Sequence, residues 1–376
     1  MTDVDVVVIG AGIAGASAGY ELARDHSVLV LEQEEVPGYH TTGRSAAVFT
    51  VPYERGAAQA LTKASQPFLE APPDVFAGAP LLRPLPLLMI ARDDQRDAFR
   101  RFVMESPAGS VDILEGSALR ELAPMLGDDI AVGAVDRNAQ EIDVHALHQG
   151  YLAGIRLRNG EIRVDSRVTT IKWAGDRWRI IAGDTILSAP ILVNAAGAWG
   201  DEVARMTEVE PLAITPFSRT AFTFAPPDDT DIAGWPMVVD VDEQFYFKPE
   251  RHQLMGSLAE ETLMEPHDVG AREVDVALAI ERIEAATTLK IPHVAKTWAG
   301  LRTFTLDRMP AIGFDPDHPG FFWLVGQGGF GIMTSPAAAR STAALVAGHR
   351  LPDDVVAAGL DLDAIDPGRF RGATYG

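Results

Sequence analysis

Hydrophobic and polar positions along the chain fall mostly into short apolar runs broken by glycine or proline, and few stretches show the 3.6-residue spacing of a surface helix. Val6-Val7-Val8-Ile9 is a β-branched run that reads as a buried strand, and Val28-Leu29-Val30-Leu31 reads as another. Between them Gly10-Ala11-Gly12-Ile13-Ala14-Gly15 opens a helix, so the first forty residues form a βαβ unit. The same strand, glycine turn and helix recur twice. Ala189 to Val193 runs into Asn194-Ala195-Ala196-Gly197-Ala198-Trp199 and a helix over about Asp201 to Met206. Gly320 to Val325 runs into Gly326-Gln327-Gly328-Gly329-Phe330-Gly331 and a helix from about Ser335 to Ala347.

The intervening chain reads more coarsely. A helix is expected from about Gln59 to Pro72, an extended segment from Pro80 to Ile90, and short amphipathic helices over Asp93 to Glu105 and Ser117 to Leu126. Asp143 is a plausible N-cap for a helix to Arg156, and turns at Gly175-Asp176 and Gly183-Asp184 mark two hairpins. From Pro211 to Thr305 the texture changes to strands at Phe222-Thr223-Phe224, Met237-Val238-Val239, Phe245-Tyr246-Phe247 and Leu254-Met255-Gly256, with a helix over Arg272 to Thr288. That pattern predicts an antiparallel sheet with a covering helix. The fold class is therefore α/β: a Rossmann-like dinucleotide-binding domain, discontinuous over 1–79, 140–206 and 300–376, with a second α+β substrate domain over 80–139 and 207–299.

Composition narrows the function. With 53 acidic and 32 basic residues the net charge of −21 repels nucleic acid and anionic membrane surfaces, so neither is an expected partner. There are no cysteines, which removes disulfides, thiolate metal sites and cysteine-linked cofactors. The acids lie in adjacent pairs such as Glu34-Glu35 and Asp228-Asp229, and no metal site is expected. No apolar run approaches a membrane span, and the first strand follows Met1 closely. The expectation is a cytoplasmic enzyme.

The chemistry starts at the glycines. Gly10 permits the tight turn, Gly12 lets backbone approach a pyrophosphate, and Gly15 lets the helix pack on the strand, while Glu32 at the end of the second strand suits the hydroxyls of an adenosine ribose. One such motif serves nicotinamide and flavin dinucleotides alike. Three strand-turn-helix passages favour FAD, an extended molecule approached by backbone at several points, and the last helix would set its dipole under the flavin ring. His40, Arg44 and Ser45 fall in a loop rich in small and hydroxyl residues, where Arg44 and Ser45 are candidate phosphate ligands and His40 a structural hydrogen-bonder. With these go Ile13, Ala14, Gln33, Ala46, Val168, Ala196, Gly197, Trp199, Arg302, Gly329, Gly331, Ile332 and Thr334 as candidate contacts to non-covalently bound FAD. A formal GxSxG at Gly15 to Gly19 is not a hydrolase elbow, because Ser17 lies inside the helix after the dinucleotide glycines.

GAGIAGAS, PGYHTTGRSAA, IDVHALHQGYL, LVNAAGAW, FYFKP, EAATTL, TWAGLR and GQGGFGIMTS follow one another over nearly the whole chain. In that order they resemble the D-arginine dehydrogenase-like flavoenzymes, within the D-amino acid oxidase and glycine oxidase group. The resemblance implies FAD and oxidation of a D-amino acid to an imine that water hydrolyses to a 2-oxo acid. It also implies that Arg219 and Arg302 hold the substrate carboxylate, a role that the planar guanidinium fork suits. Tyr53 and Tyr246 would lie over the substrate, and the backbone of Gly328 and Gly329 would face its amine. Judged without the resemblance, the arginines are ordinary strand residues and the tyrosines ordinary core aromatics.

Two positions depart from the basic-substrate pattern. Leu87 stands where that group has an acid for the distal cation, and Val48 replaces a histidine. A guanidinium facing leucine would be desolvated without a partner, so apolar D-amino acids are the expected substrates. Hydride transfer from Cα to flavin N5 needs positioning rather than a side-chain base, and His145 and His148 are read as surface or helix-packing residues. Oxidation of a secondary amine or 2-hydroxy acid, and a non-catalytic flavin-binding module, remain alternatives. Either a quinone or oxygen would accept the electrons, with dehydrogenase behaviour preferred.

Overall fold

The protein is described by a computed structural model over residues 2–76, 78 and 80–371; Met1, residue 77, residue 79, where one expected boundary falls, and residues 372–376 lie outside the described residues. The expected βαβ unit is the middle of a six-stranded sheet. Its strand order is Glu161–Arg163, Val28–Leu31, Val6–Ile9, Ile191–Asn194, Phe321–Val325, Ala311–Phe314, with only the last pairing antiparallel. All four residues of Val6–Ile9 are buried because both faces of the sheet are covered. Val6, Val8, Val28 and Val30 pack under the helices Ile13–Leu22, Gly56–Glu70, Val144–Leu157 and Gly331–Val346. Val7, Ile9, Leu29 and Leu31 pack under a four-stranded sheet containing Trp178, Ile180 and Leu187. Asp143 caps its helix as expected, its side chain accepting from the Ala146 N–H at 2.9 Å.

The larger sheet has nine strands. Leu87–Arg92 lies between Ile130–Asp136 and Met237–Asp240, and Thr215–Phe224 pairs along one edge with Gln253–Ser257 and along its other edge, over its full length, with Val294–Phe304. It is antiparallel except where Met237–Asp240 runs parallel to Leu87–Arg92. Alternation divides its strands between two cores. Leu88, Ile90, Phe222 and Phe247 face the helix Glu273–Ala286, whereas Leu87, Met89, Ala221, Val239 and Tyr246 form a second cluster that Ala46, Val48 and Tyr53 join from the other part of the molecule.

One helix start needs correction, and two strand pairings run across the expected division. The last helix begins at Gly331, not near Ser335, because the glycine turn ends in a helical first turn. Val294–Phe304 is a full strand whose register with Thr215–Phe224 runs from Phe304 to Val294, so a boundary at residue 300 falls inside it. The strand Leu82–Pro84 pairs with Gln140–Ile142, itself paired with Val48–Phe49, so this small ladder joins segments assigned to different domains.

Candidate functional site

At the end of Val6–Ile9 the chain turns through Gly10 at φ +99°, and a Cβ there would lie 2.5 Å from the Ala195 carbonyl oxygen. Both the conformation and the space exclude any other residue. The helix that follows has no side-chain cap at Gly12; instead the Ile13 N–H donates to the Thr42 hydroxyl at 2.9 Å. Glu32 is buried, yet each carboxylate oxygen accepts only one backbone N–H, from Ala11 at 2.9 Å and from Glu34 at 3.0 Å. The remaining lone pairs are available to a pair of hydroxyls. Behind this turn His148 makes a 2.8 Å hydrogen bond to the Ala11 carbonyl, and burial lowers its pKa, which keeps the ring neutral. It is packed as expected, though against the glycine turn rather than at the surface.

A cavity opens from that turn. Its wall continues through Ala195 to Trp199, Gly300 to Thr303 and Gln327 to Gly329, and it ends at Gly331 and Ile332 on the last helix and at Arg219, Ala221 and Tyr246 on the larger sheet. Arg219 and Arg302 occupy neighbouring antiparallel strands, where Phe217 pairs with Arg302 and Arg219 with Gly300. That register puts both guanidinium groups diagonally on one face. A Cβ on Gly329 would meet Arg302 Nη1 at 2.8 Å, so this glycine makes room for the side chain. Arg219 is 8% exposed, its Nε is buried without a partner, and burial followed by the neighbouring Arg302 lowers its pKa. A buried cation this poorly paired is a receptor for an anion.

Most of the expected site residues line this cavity: Gly10, Gly12, Ile13, Ala14, Glu32, Gln33, His40, Arg44, Ser45, Ala46, Val168, Ala196, Gly197, Trp199, Arg219, Tyr246, Arg302, Gly328, Gly329, Gly331 and Ile332. Five do not. Gly15 lies behind the turn, where a Cβ would sit 1.8 Å from the Gly10 oxygen, which is the packing role expected of it. Thr334 is turned back on its helix, where its hydroxyl donates to the Phe330 carbonyl at 2.9 Å, and it does not line the cavity. Tyr53 donates its hydroxyl to Glu243 at 2.8 Å and is not among the residues lining the cavity, though it lies in the field of Arg302. Val48 and Leu87 belong to the apolar cluster next to the cavity, which shares Ala221 and Tyr246 with it.

Arg44 needs a further reading. It lines the cavity, but its Nη1 donates to the carbonyls of Val269 at 2.9 Å and Ala299 at 3.0 Å, its Nε donates to Tyr39, and its Nη2 pairs with Asp268. With four of its five N–H donors taken, the guanidinium braces the cofactor loop against the larger sheet. His40 pairs with Glu34 at 2.9 Å and stacks on Trp199 with ring centroids 4.6 Å apart, as befits a structural hydrogen-bonder. Thr42 and Gln327 were not singled out from the sequence; the hydroxyl-rich loop and the glycine turn were the signals that contained them.

The lining fits FAD. Glu32 and the uncapped helix start suit the adenosine and pyrophosphate, and Gln327 Nε2 is buried without a partner at the far end, where the helix Gly331–Val346 also begins without a side-chain cap. Among the described residues no cluster of His, Cys, Asp or Glu is arranged for a metal, and no helix is long and apolar enough to cross a membrane.

Comparison with known proteins agrees with this geometry. The family model described as DAO, FAD dependent oxidoreductase, matches residues 5–345. A glycine oxidase from Pseudomonas putida is 27% identical over 364 residues, covering 91% of this chain and 94% of that protein. Among solved structures, glycine oxidase from Geobacillus kaustophilus superposes with a TM-score of 0.83 at 19% identity over 100% of both chains. L-proline dehydrogenase from P. horikoshii gives 0.84 at 20% identity, covering 98% of each.

Proposed function

The chain belongs to the DAO family of FAD-dependent oxidoreductases, and from that premise we propose that it oxidises the α-amine of amino acids, with apolar D-amino acids preferred. The observation that carries this reading is the pair Arg219 and Arg302 on one face of the cavity that also holds Glu32. Two guanidinium groups on one face hold a carboxylate in a fixed orientation. Tyr246 forms the wall beside them, and the backbone around Gly328 and Gly329 is left to face the amine. Bound FAD supplies the two-electron oxidant for the substrate Cα–H bond. The amine loses its N–H proton to water as the imine forms, and a further water hydrolyses the imine to a 2-oxo acid and ammonia.

The apolar preference rests on Leu87 and Val48 in the cluster with Met89, Val239 and Tyr246. The sequence division into a cofactor part and a substrate part is retained, with the strand Val294–Phe304 serving both. A second reading, oxidation of glycine or a secondary amine, is supported by the P. putida relative named above. Anaerobic flavin bleaching against D-leucine, D-methionine, D-arginine, glycine, sarcosine and the L-enantiomers separates the readings. D-Leucine or D-methionine is expected to give the highest specificity constant, and Leu87→Glu is expected to shift the ranking toward D-arginine. D-Arginine ranking first in the parent enzyme defeats the apolar reading; glycine or sarcosine ranking first favours the second.

A further inference from the structure

The anion receptor at Arg219 has an acid within reach, and a third residue holds that acid elsewhere. Glu261 Oε1 lies 3.8 Å from Arg219 Nη2, too far for a hydrogen bond, while Arg308 Nη2 donates to the same oxygen at 2.5 Å. Glu260, the other nearby acid, accepts the Thr220 N–H through Oε1, and its buried Oε2 has no partner. Neither carboxylate therefore closes on the guanidinium, whose Nε stays unpartnered.

The position of Arg308 is itself held. It follows the strand that carries Arg302, its backbone sits at φ +64°, and its N–H donates to the Thr305 carbonyl at 3.0 Å. Its guanidinium carbon stands 3.8 Å from the centroid of the Phe304 ring. Stacked on that aromatic face, the guanidinium reaches Glu261 through Nη2. Arg308 does not line the cavity.

We infer that Arg308 is a positioning residue: by drawing Glu261 to itself it prevents an internal ion pair at Arg219 and leaves that arginine open to the carboxylate of the substrate. The inference rests on the proposed function, in which Arg219 binds a carboxylate. Without Arg308, Glu261 rotates onto Arg219 and competes with every incoming carboxylate. The effect falls on binding and not on the chemical step, because the competitor leaves once substrate is seated.

The test uses the FAD-loaded enzyme, with benzoate as a carboxylate probe read by the flavin absorbance change, and D-leucine kinetics beside it. Arg308→Ala is expected to weaken benzoate and raise KM by about tenfold, the scale of one charge-assisted contact, with kcat changed less than about twofold. Arg308→Lys is expected to recover most of the affinity, and the double variant Arg308→Ala with Glu261→Gln to restore it, since no competing anion remains. A merely structural role of Arg308 predicts a double variant as weak as the single one, and that result overturns the inference. Parent-like benzoate affinity in Arg308→Ala overturns it as well. Arg219→Gln separates this failure from that of the underlying reading: if it too binds benzoate like the parent, the carboxylate site itself is wrong.

Discussion

Glu54 is a residue whose role the sequence hides. It lies in the turn between the strand Val48–Phe49 and the helix Gly56–Glu70, one residue beyond Tyr53. Burial pushes its carboxyl up to about 7, against the pull of Arg302 and with the push of Glu243. The folded-state value lies above the ordinary carboxyl value of 4.5, so between the two the folded chain keeps a proton that the unfolded chain has released. This contribution to stability therefore falls as pH rises from about 4.5 to about 7. The same ionisation places an anion in the field of Arg302, so KM for an amino acid is expected to climb as pH passes about 7. Glu54→Gln should flatten both slopes. Melting curves and KM measured from about pH 5 to pH 8 check this, and unchanged slopes in the variant would show that Glu54 does not titrate in that window.

At the scale of elements, the cofactor loop is sewn to the larger sheet. Beyond the Arg44 contacts, Tyr39 donates to Asp268 at 3.0 Å, Trp298 Nε1 donates to the Arg44 carbonyl at 3.1 Å, and the Thr41 hydroxyl donates to the Leu301 carbonyl at 2.7 Å. Asp268 is half-exposed, and Arg44 holds its carboxyl below the usual range. Asp268→Asn is expected to raise the FAD dissociation rate by up to about fivefold, the scale of an exposed ion pair, with the difference shrinking at high salt. An FAD release rate equal to the parent's at low salt would remove the brace from any role in cofactor retention. This brace also shows where sequence reading stops. The turns at Gly10, Gly197 and Gly331 were legible because strand, turn and helix are written in adjacent residues. The bracing contacts of Arg44 were not legible because the carbonyls of Val269 and Ala299 that it meets lie over two hundred residues away. Tyr53 and Arg308 likewise have partners, Glu243 and Glu261, that local pattern cannot identify. Val294–Phe304 escaped notice for a different reason: its first half is largely exposed and shows no apolar alternation.

At the scale of the whole molecule, the cavity wall is drawn from both sheets: Gly10 and Ala196 follow strands of the six-stranded one, while Arg219, Tyr246 and Arg302 lie on strands of the nine-stranded one. A ligand there bridges the two, and without it the polar groups of Gln327 and Arg219 remain buried and unpaired. FAD binds only the folded chain, so it shifts unfolding by mass action. At a hundred times its dissociation constant the gain is about 2.7 kcal/mol, which for a chain of this size raises the melting temperature by about 3–4 °C. Because both sheets hold the ligand, their unfolding is expected to merge into one transition with FAD, whereas the protein stripped of FAD should melt lower and over a broader range. Circular dichroism and intrinsic tryptophan fluorescence report on this together, since Trp323 lies in the six-stranded sheet and Trp298 in the nine-stranded one. A melting temperature unmoved by saturating FAD would mean that the cavity does not couple the two sheets.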